Sequence, residues 1–167
     1  SESDPLVLLH RYSQQLGFLS ERPERVEPSV LAALKSLIDS GREDAAVRLG
    51  LGLCRAVPTD LDLQLLMSET LCLAHRHAEA LAPLEQALSL APVERQPRIL
   101  SLLASAHEAL GDQQSARNRL ADLLVLDVNH PDARRRLLAL RTVPLLPNRP
   151  EESATKAMVQ RAVLPTV

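Results

Sequence analysis

The strongest constraint on the fold is a phrase that recurs along the chain at a nearly constant interval. It occupies residues 41–60, 75–94 and 111–130. The alignment places Ala46 on Ala80, 34 residues later, and Ala80 on Ala116, 36 residues later. A period in this range is typical of stacked supersecondary units, because one such unit cannot bury its apolar face alone. The sequence therefore predicts a repeat array.

Composition favours close-packed helices and argues against several function classes. The 167 residues are 46% apolar, yet they include one Phe, one Tyr and no Trp, so Leu, Ala and Val must fill the core. A net charge of -2 and the lack of stacking aromatics argue against a nucleic-acid partner. No run of 18 or more apolar residues occurs, so we expect no insertion into a membrane.

Helical periodicity and breaker residues predict where the helices begin and end. Asp4-Pro5 starts a first helix that ends near Gly17. Three helix pairs follow, at 28–40 with 43–56, 61–74 with 77–90, and 97–110 with 113–126. Asn129 is a candidate N-cap for a last helix over 131–141. His75 stands in a turn where the other units have Gly41 and Gly111, although His tolerates a positive φ less well than Gly.

The three units resemble the tetratricopeptide repeat (TPR), a helix–turn–helix of 34 residues. The third unit matches best, through Leu100, Leu103, Ala104, His107, Leu110, Gly111, Ala116, Leu120 and Leu123. The second unit matches through Met67, Ser68, Leu71, Ala80, Leu84, Ala87 and Pro92. The first unit is weaker, because Gly50 stands where the family usually has a large residue.

The predicted fold is all-α: a right-handed superhelix of TPR-like helix–turn–helix repeats, with an N-terminal helix and a C-terminal capping helix. We divide the chain into an N-terminal helix and connector (1–26), three repeats with the capping helix (27–141), and a Pro-rich tail (142–167). Within the tail, residues 151–163 have the pattern of a short helix that needs a surface to dock on.

In this family the first helices of successive repeats line a concave groove that usually binds a peptide. The resemblance implies that the groove-facing residues are Leu31, Lys35, Ile38, Leu65, Glu69, Cys72, Leu73, Ser101, Ser105 and Glu108. The family's carboxylate clamp uses Lys, Asn and Arg here, whereas Lys35 is the one basic residue of this set, so we expect no such clamp. The first two units present an apolar strip instead, which either grips an apolar segment or is filled by the chain's own N-terminal helix or tail.

Other residue groups suggest chemistry but have simpler explanations. His75 and His77 do not share a helix face, so we expect no metal. The scattered glycines form no phosphate loop, and no catalytic constellation is evident, so we expect neither a cofactor nor an enzyme. Cys54 and Cys72 permit a disulfide, but we interpret them as two buried thiols in helices. The run Arg134–Arg136 is either a solvated capping face or a contact for an acidic partner.

The sequence thus predicts a non-enzymatic module that binds a protein or peptide partner. Its layout is similar to that of the bacterial type III secretion chaperones that hold translocator proteins in an apolar groove. The alternative is a structural scaffold subunit of a bacterial envelope, secretion or polysaccharide-export assembly. We expect a cytoplasmic location, with the periplasm and envelope kept as alternatives, and the sequence leaves a homo-oligomer open.

Overall fold

The computed structural model describes residues 4–142, without the side chain of residue 142, and contains eight α-helices in that range. They are α1 (Pro5–Gly17), α2 (Pro28–Asp39), α3 (Glu43–Ala56), α4 (Leu61–Leu73), α5 (His77–Leu90), α6 (Gln96–Ala109), α7 (Gln113–Leu126) and α8 (Pro131–Thr142), with a 3₁₀ turn at Val93–Arg95. Every predicted helix within this range is confirmed. The predicted helix at 151–163 lies outside the described residues.

Helices α2 to α7 form three consecutive antiparallel pairs, each packed on the next, with α1 against α2 and α3 and with α8 against α7. The repeated alanine lies within each second helix. Ala46, Ala80 and Ala116 are fully buried, because a small side chain lets the two helices of a pair approach closely. This arrangement is the all-α repeat solenoid that the sequence predicts, with an additional helix at each end.

The turn inside each helix pair requires one residue with a positive φ. Gly41 and Gly111 have φ values of 81° and 79°, and His75 occupies the equivalent position with φ 58°. The residue after each turn then donates its N–H to a carbonyl five residues earlier, as from Arg76 to Leu71 at 2.8 Å. The second repeat therefore keeps the turn geometry at the expense of backbone strain.

Replacement of His75 by Gly should stabilise the protein by about 0.5 kcal/mol. Relief of the left-handed conformation is worth about 1–2 kcal/mol, whereas the added freedom of Gly in the unfolded chain costs about 0.5–1 kcal/mol. Urea denaturation monitored by circular dichroism measures the difference. The reverse change, Gly41→His, should destabilise, and a stabilised Gly41→His variant would contradict this explanation.

Gly50 is explained by the side chain that packs on it. A Cβ added to Gly50 would overlap Sδ of Met67, a side chain that is fully buried in α4. The sulfur therefore fills the space that a large residue of α3 usually fills in a TPR. Gly52, two residues further along α3, has nothing within 4 Å of the same added atom.

These two glycines of α3 should respond in opposite directions to Ala. Gly50→Ala should destabilise by up to about 2 kcal/mol, because an overpacking cost of about 1–3 kcal/mol exceeds the helix-propensity gain of about 1 kcal/mol. Gly52→Ala should stabilise by about 0.5–1 kcal/mol, because only the propensity changes. Chemical denaturation of both variants is the measurement. Equal effects would show that Met67 moves freely away from an added methyl group.

Asp60 joins the connector before α2 to the start of α4. Its carboxylate accepts a hydrogen bond from the N–H of Leu63 at 3.0 Å, which caps α4, and another from the N–H of Val26 at 2.8 Å. The side chain is buried, so both donors depend on it. The two hydrogen bonds therefore hold the connector before α2 against the start of the second repeat.

The cap of α8 differs from the sequence prediction. Nδ1 of His130 accepts the N–H of Ala133 at 3.1 Å, so His130 is the capping residue rather than Asn129. The N–H of Asn129 instead donates to the carboxylate of Asp127 at 3.2 Å. The error of one residue arises because an imidazole nitrogen can accept the bond that an Asn side chain usually accepts.

Over residues 4–142, no helix is both long and apolar enough to cross a bilayer.

Candidate interaction faces

The predicted groove residues lie on equivalent positions of the first helices α2, α4 and α6. The repeat offsets relate Leu31 to Leu65 and Ser101, Lys35 to Glu69 and Ser105, and Ile38 to Cys72 and Glu108. Within each helix these positions have the spacing i, i+4, i+7, so they share one face. We call this series of faces, together with the predicted groove residue Leu73 that follows Cys72 at the end of α4, the A face.

The part of the A face on α2 and α4 is apolar but only partly open. Leu31, Ile38 and Cys72 are half-buried against the core, and Lys35 is exposed. Leu65 is buried, with 9% of its surface accessible, so it supports the face from beneath. Leu73, the last residue of α4, is 81% exposed. Leu73 is therefore the large apolar side chain that this part of the surface leaves most exposed to water.

The part of the A face on α6 is already occupied by an arginine of α8. The guanidinium of Arg136 donates to Oε1 of Glu108 at 2.8 Å and to the hydroxyls of Ser101 at 3.1 Å and Ser105 at 2.9 Å. It also contacts Asp132, one turn earlier on α8, at 3.4 Å. The three predicted partner-binding residues of α6 therefore bind a side chain of the same protein.

Two further ion pairs lie on the same side of the array and join α4 to α6 and to the 3₁₀ turn before α6. Glu69 lies 2.9 Å from the guanidinium of Arg98, and Asp62 lies 3.6 Å from that of Arg95. These contacts show that the A faces of α4, α6 and α8 are adjacent. The A face therefore has two ends. The end on α2 and α4 is apolar, and the acidic residues of the polar end are paired with arginines of the same chain.

Loss of Arg136 should weaken the docking of α8 more than loss of its neighbour Arg135. Arg136→Ala removes contacts to three residues of α6 and should cost about 1 kcal/mol. Arg135 is paired within the described residues only to Asp132 on its own helix, so Arg135→Ala should change stability by less than about 0.5 kcal/mol. Hydrogen exchange of the α8 amides, measured for both variants, separates them. Equal protection of α8 in both would contradict the role of Arg136.

A groove with a volume of about 500 Å³ lies elsewhere, between the second helices α3 and α5. Leu51 and Pro83 are among its lining residues, and the A face contributes none of them. Sequence reasoning missed this groove because it treated α3 and α5 only as packing elements. Comparison of equivalent positions between repeats could have found it, since Pro83 aligns with Arg119 and Leu51 with Glu85.

The thiols and histidines show no arrangement for chemistry within residues 4–142. Both cysteines are free; burial raises the pKa of Cys54 to about 12, and burial also raises the pKa of Cys72, so both thiols stay protonated near neutral pH. The rings of His75 and His77 have centroids 5.9 Å apart. Among the described residues, no group of three His, Cys, Asp or Glu side chains is placed to hold a metal ion.

Comparison with solved structures identifies the fold. The first TPR domain of Spaghetti (RPAP3) bound to the HSP90 peptide SRMEEVD superposes with a TM-score of 0.54 at 16% identity, covering 78% of this chain and 91% of that one. The putative kinesin light chain of Podosopora anserina, which has nearly identical TPR-like repeats, superposes with a TM-score of 0.55 at 18% identity. That superposition covers 94% of this chain and 89% of the kinesin light chain.

No family model matches the sequence, and no curated protein matches it. At identities of 16% and 18%, the superpositions concern the fold alone. The chain therefore has the TPR fold, as its repeats predict.

Proposed function

We propose that this protein is a non-enzymatic interaction module that holds a polypeptide segment at the apolar end of its A face. The observation that carries the proposal is the exposure of Leu73 beside half-buried Cys72, with Leu31 and Ile38 on the same face of α2. An apolar side chain that covers Leu73 would gain about 1.5–3 kcal/mol from the surface removed from water.

The polar end of the face has a smaller part in this proposal. Ser101, Ser105 and Glu108 are held by Arg136, and Glu69 is held by Arg98. A partner that contacted these four residues would first have to displace arginines that already satisfy them. The proposed contact residues are therefore Leu31, Lys35, Ile38, Cys72 and Leu73, with Leu65 beneath them.

The similar Spaghetti domain binds an HSP90 peptide, but that specificity does not fit this face. The peptide SRMEEVD is acidic at its end, and a carboxylate ligand needs several basic groups that converge on it. Among the predicted groove residues, Lys35 is the only basic one, and the arginines that reach the polar end of the face, Arg98 and Arg136, are paired with Glu69 and Glu108. We therefore propose an apolar segment as the ligand, as in a secretion chaperone that shields an aggregation-prone client.

A scaffold subunit is the second candidate, and exposed apolar residues at both ends of the array favour it. Phe18, just after α1, is 91% exposed, and Val125, near the end of α7, is 80% exposed. Val128 follows in the next loop and is also exposed. Exposed apolar groups at the ends of a repeat array are typical of surfaces that stack on further subunits. A scaffold would use these ends, and the A face would stay free.

One pair of matched substitutions distinguishes the two candidates. Leu73 and Val125 are nearly equally exposed apolar residues at the ends of helices, so Leu73→Glu and Val125→Glu should each change stability by less than about 0.5 kcal/mol. Full-length protein, both variants and a chain ending at Arg141 are immobilised and exposed to native lysate. Proteins that bind are identified by mass spectrometry, and their affinities are then measured in purified form.

If the protein is a chaperone, Leu73→Glu should lower its affinity for the client by at least about tenfold, and Val125→Glu should leave that affinity unchanged. The purified client should also aggregate less in the presence of the wild-type chain. A scaffold should show the reverse dependence, with assembly partners lost through Val125→Glu or through removal of the tail. Retention of every partner by Leu73→Glu would refute the proposed use of the A face.

A further inference from the structure

The groove between α3 and α5 is a surface that the proposed function does not use. Its walls come from the second helices of the first two repeats and from the loop and helix start between them. The lining residues are Leu51, Cys54, Arg55, Pro58, Gln64, Ala78, Glu79, Ala82, Pro83 and Gln86. A neighbouring depression shares Leu51, Arg55 and Glu79 and adds Arg48, so the two form one elongated groove.

The next interface of the array has a different pair of residues at the positions equivalent to the centre of this groove. Between α5 and α7, the guanidinium of Arg119 bonds the carboxylate of Glu85 and bridges the two helices. The equivalent positions between α3 and α5 are Pro83 and Leu51. The ion pair that bridges α5 and α7 is therefore replaced by two apolar residues between α3 and α5.

Small and rigid residues on α5 keep the groove wide. Ala78 and Ala82 lie one turn apart and have no side chain beyond Cβ. Pro83 lies inside α5, where its ring cannot donate the helical hydrogen bond to the carbonyl of Glu79. The middle of the groove is therefore apolar, between Leu51 on one wall and Pro83 on the other.

Two arginines flank this apolar centre on the α3 side. Arg48, Leu51 and Arg55 have the spacing i, i+3, i+7, so they share one face of α3, and the two arginines lie about 10.5 Å apart along its axis. Both are exposed, and neither forms an ion pair with another residue in the described part of the chain.

The two acidic residues that line this groove, Glu79 and Asp44, both face Arg76. Glu79 bonds Nε of Arg76 at 2.7 Å, and Asp44 lies 3.7 Å from the same guanidinium. The lining therefore holds three arginines against two carboxylates, and Arg48 and Arg55 are the arginines among them that form no ion pair within residues 4–142. They would gain most from carboxylates on a bound molecule, because charge-assisted bonds to Arg are stronger than neutral ones.

We infer that this groove docks an acidic amphipathic helix of a partner protein. Two carboxylates seven residues apart on such a helix match the spacing of Arg48 and Arg55. An apolar side chain between them, three or four residues from each carboxylate, would enter the space between Leu51 and Pro83. This is the helix-in-groove mode of recognition, with charge selecting the partner and apolar burial holding it.

This second surface is independent of the proposed function. It lies on α3, α5 and the loop and first turn of α4 between them, whereas the apolar end of the A face lies on α2 and on the rest of α4. One chain could bind a client on the A face and an acidic partner at this groove. Leu73→Glu should therefore leave the groove unaffected, and changes at Arg48 and Arg55 should leave A-face binding unaffected.

The test uses the full chain and a designed peptide as the probe. The peptide is an Ala-rich helix of about 18 residues with Glu at positions i and i+7 and Leu at i+3 and i+4, carrying a fluorophore. A second peptide has Lys in place of both Glu residues. Fluorescence anisotropy measures their affinities for the wild type, Arg48→Glu/Arg55→Glu, Leu73→Glu and the charge-matched control Arg11→Glu/Arg25→Glu, whose arginines are exposed and lie outside the groove.

The inference expects the acidic peptide to bind the wild type, the Leu73→Glu variant and the control with similar affinity. It expects at least about tenfold weaker binding to Arg48→Glu/Arg55→Glu, and much weaker binding of the Lys peptide to the wild type. Equal binding of both peptides, equal binding to both double variants, or no binding of the acidic peptide at about 1 mM would each overturn it. An altered oligomeric state of Arg48→Glu/Arg55→Glu in sedimentation would also overturn it, because the groove would then be a contact between copies.

Discussion

The close approach of two helices within each pair is the constraint on which the rest of this structure depends. It requires a residue with almost no side chain at one position of every second helix, and Ala46, Ala80 and Ala116 provide it. Once the pairs are close, leucines from adjacent pairs fill the layer between them, and no aromatic core is needed. The near absence of aromatic residues is therefore compatible with a well-packed array.

The sequence predicted those parts of the fold that local signals determine. Helix ends follow from caps, turns and prolines, and the repeat offset tests each assignment three times. The positive φ of His75 could be predicted because the other repeats place Gly at the same position. The face of each first helix could also be assigned, because a spacing of i, i+4, i+7 determines which side chains share a side.

The parts that could not be predicted depend on contacts between distant segments. Helical spacing places Leu65 on the A face but does not reveal that its neighbours bury it. Arg136 meets Ser101 across 35 residues, and no local pattern indicates that contact. The groove between α3 and α5 was overlooked because its residues are ordinary in isolation. Its character arises only from comparison of Leu51 with Glu85 and of Pro83 with Arg119.

The described core divides into two clusters of buried residues that meet at half-buried Leu88, and this has a consequence for how the protein opens. One cluster of buried residues runs from α1 to α6, whereas Leu100, Ala104, Leu120, Leu123 and Ala133 form a small separate cluster between α6 and α8. In an array where each unit contacts only its neighbours, the part with the smaller core has the lower free energy of local opening. Unfolding will therefore begin at α8 and α7, and it will release the serines and glutamate of α6 from their arginine before the apolar end of the A face is disturbed.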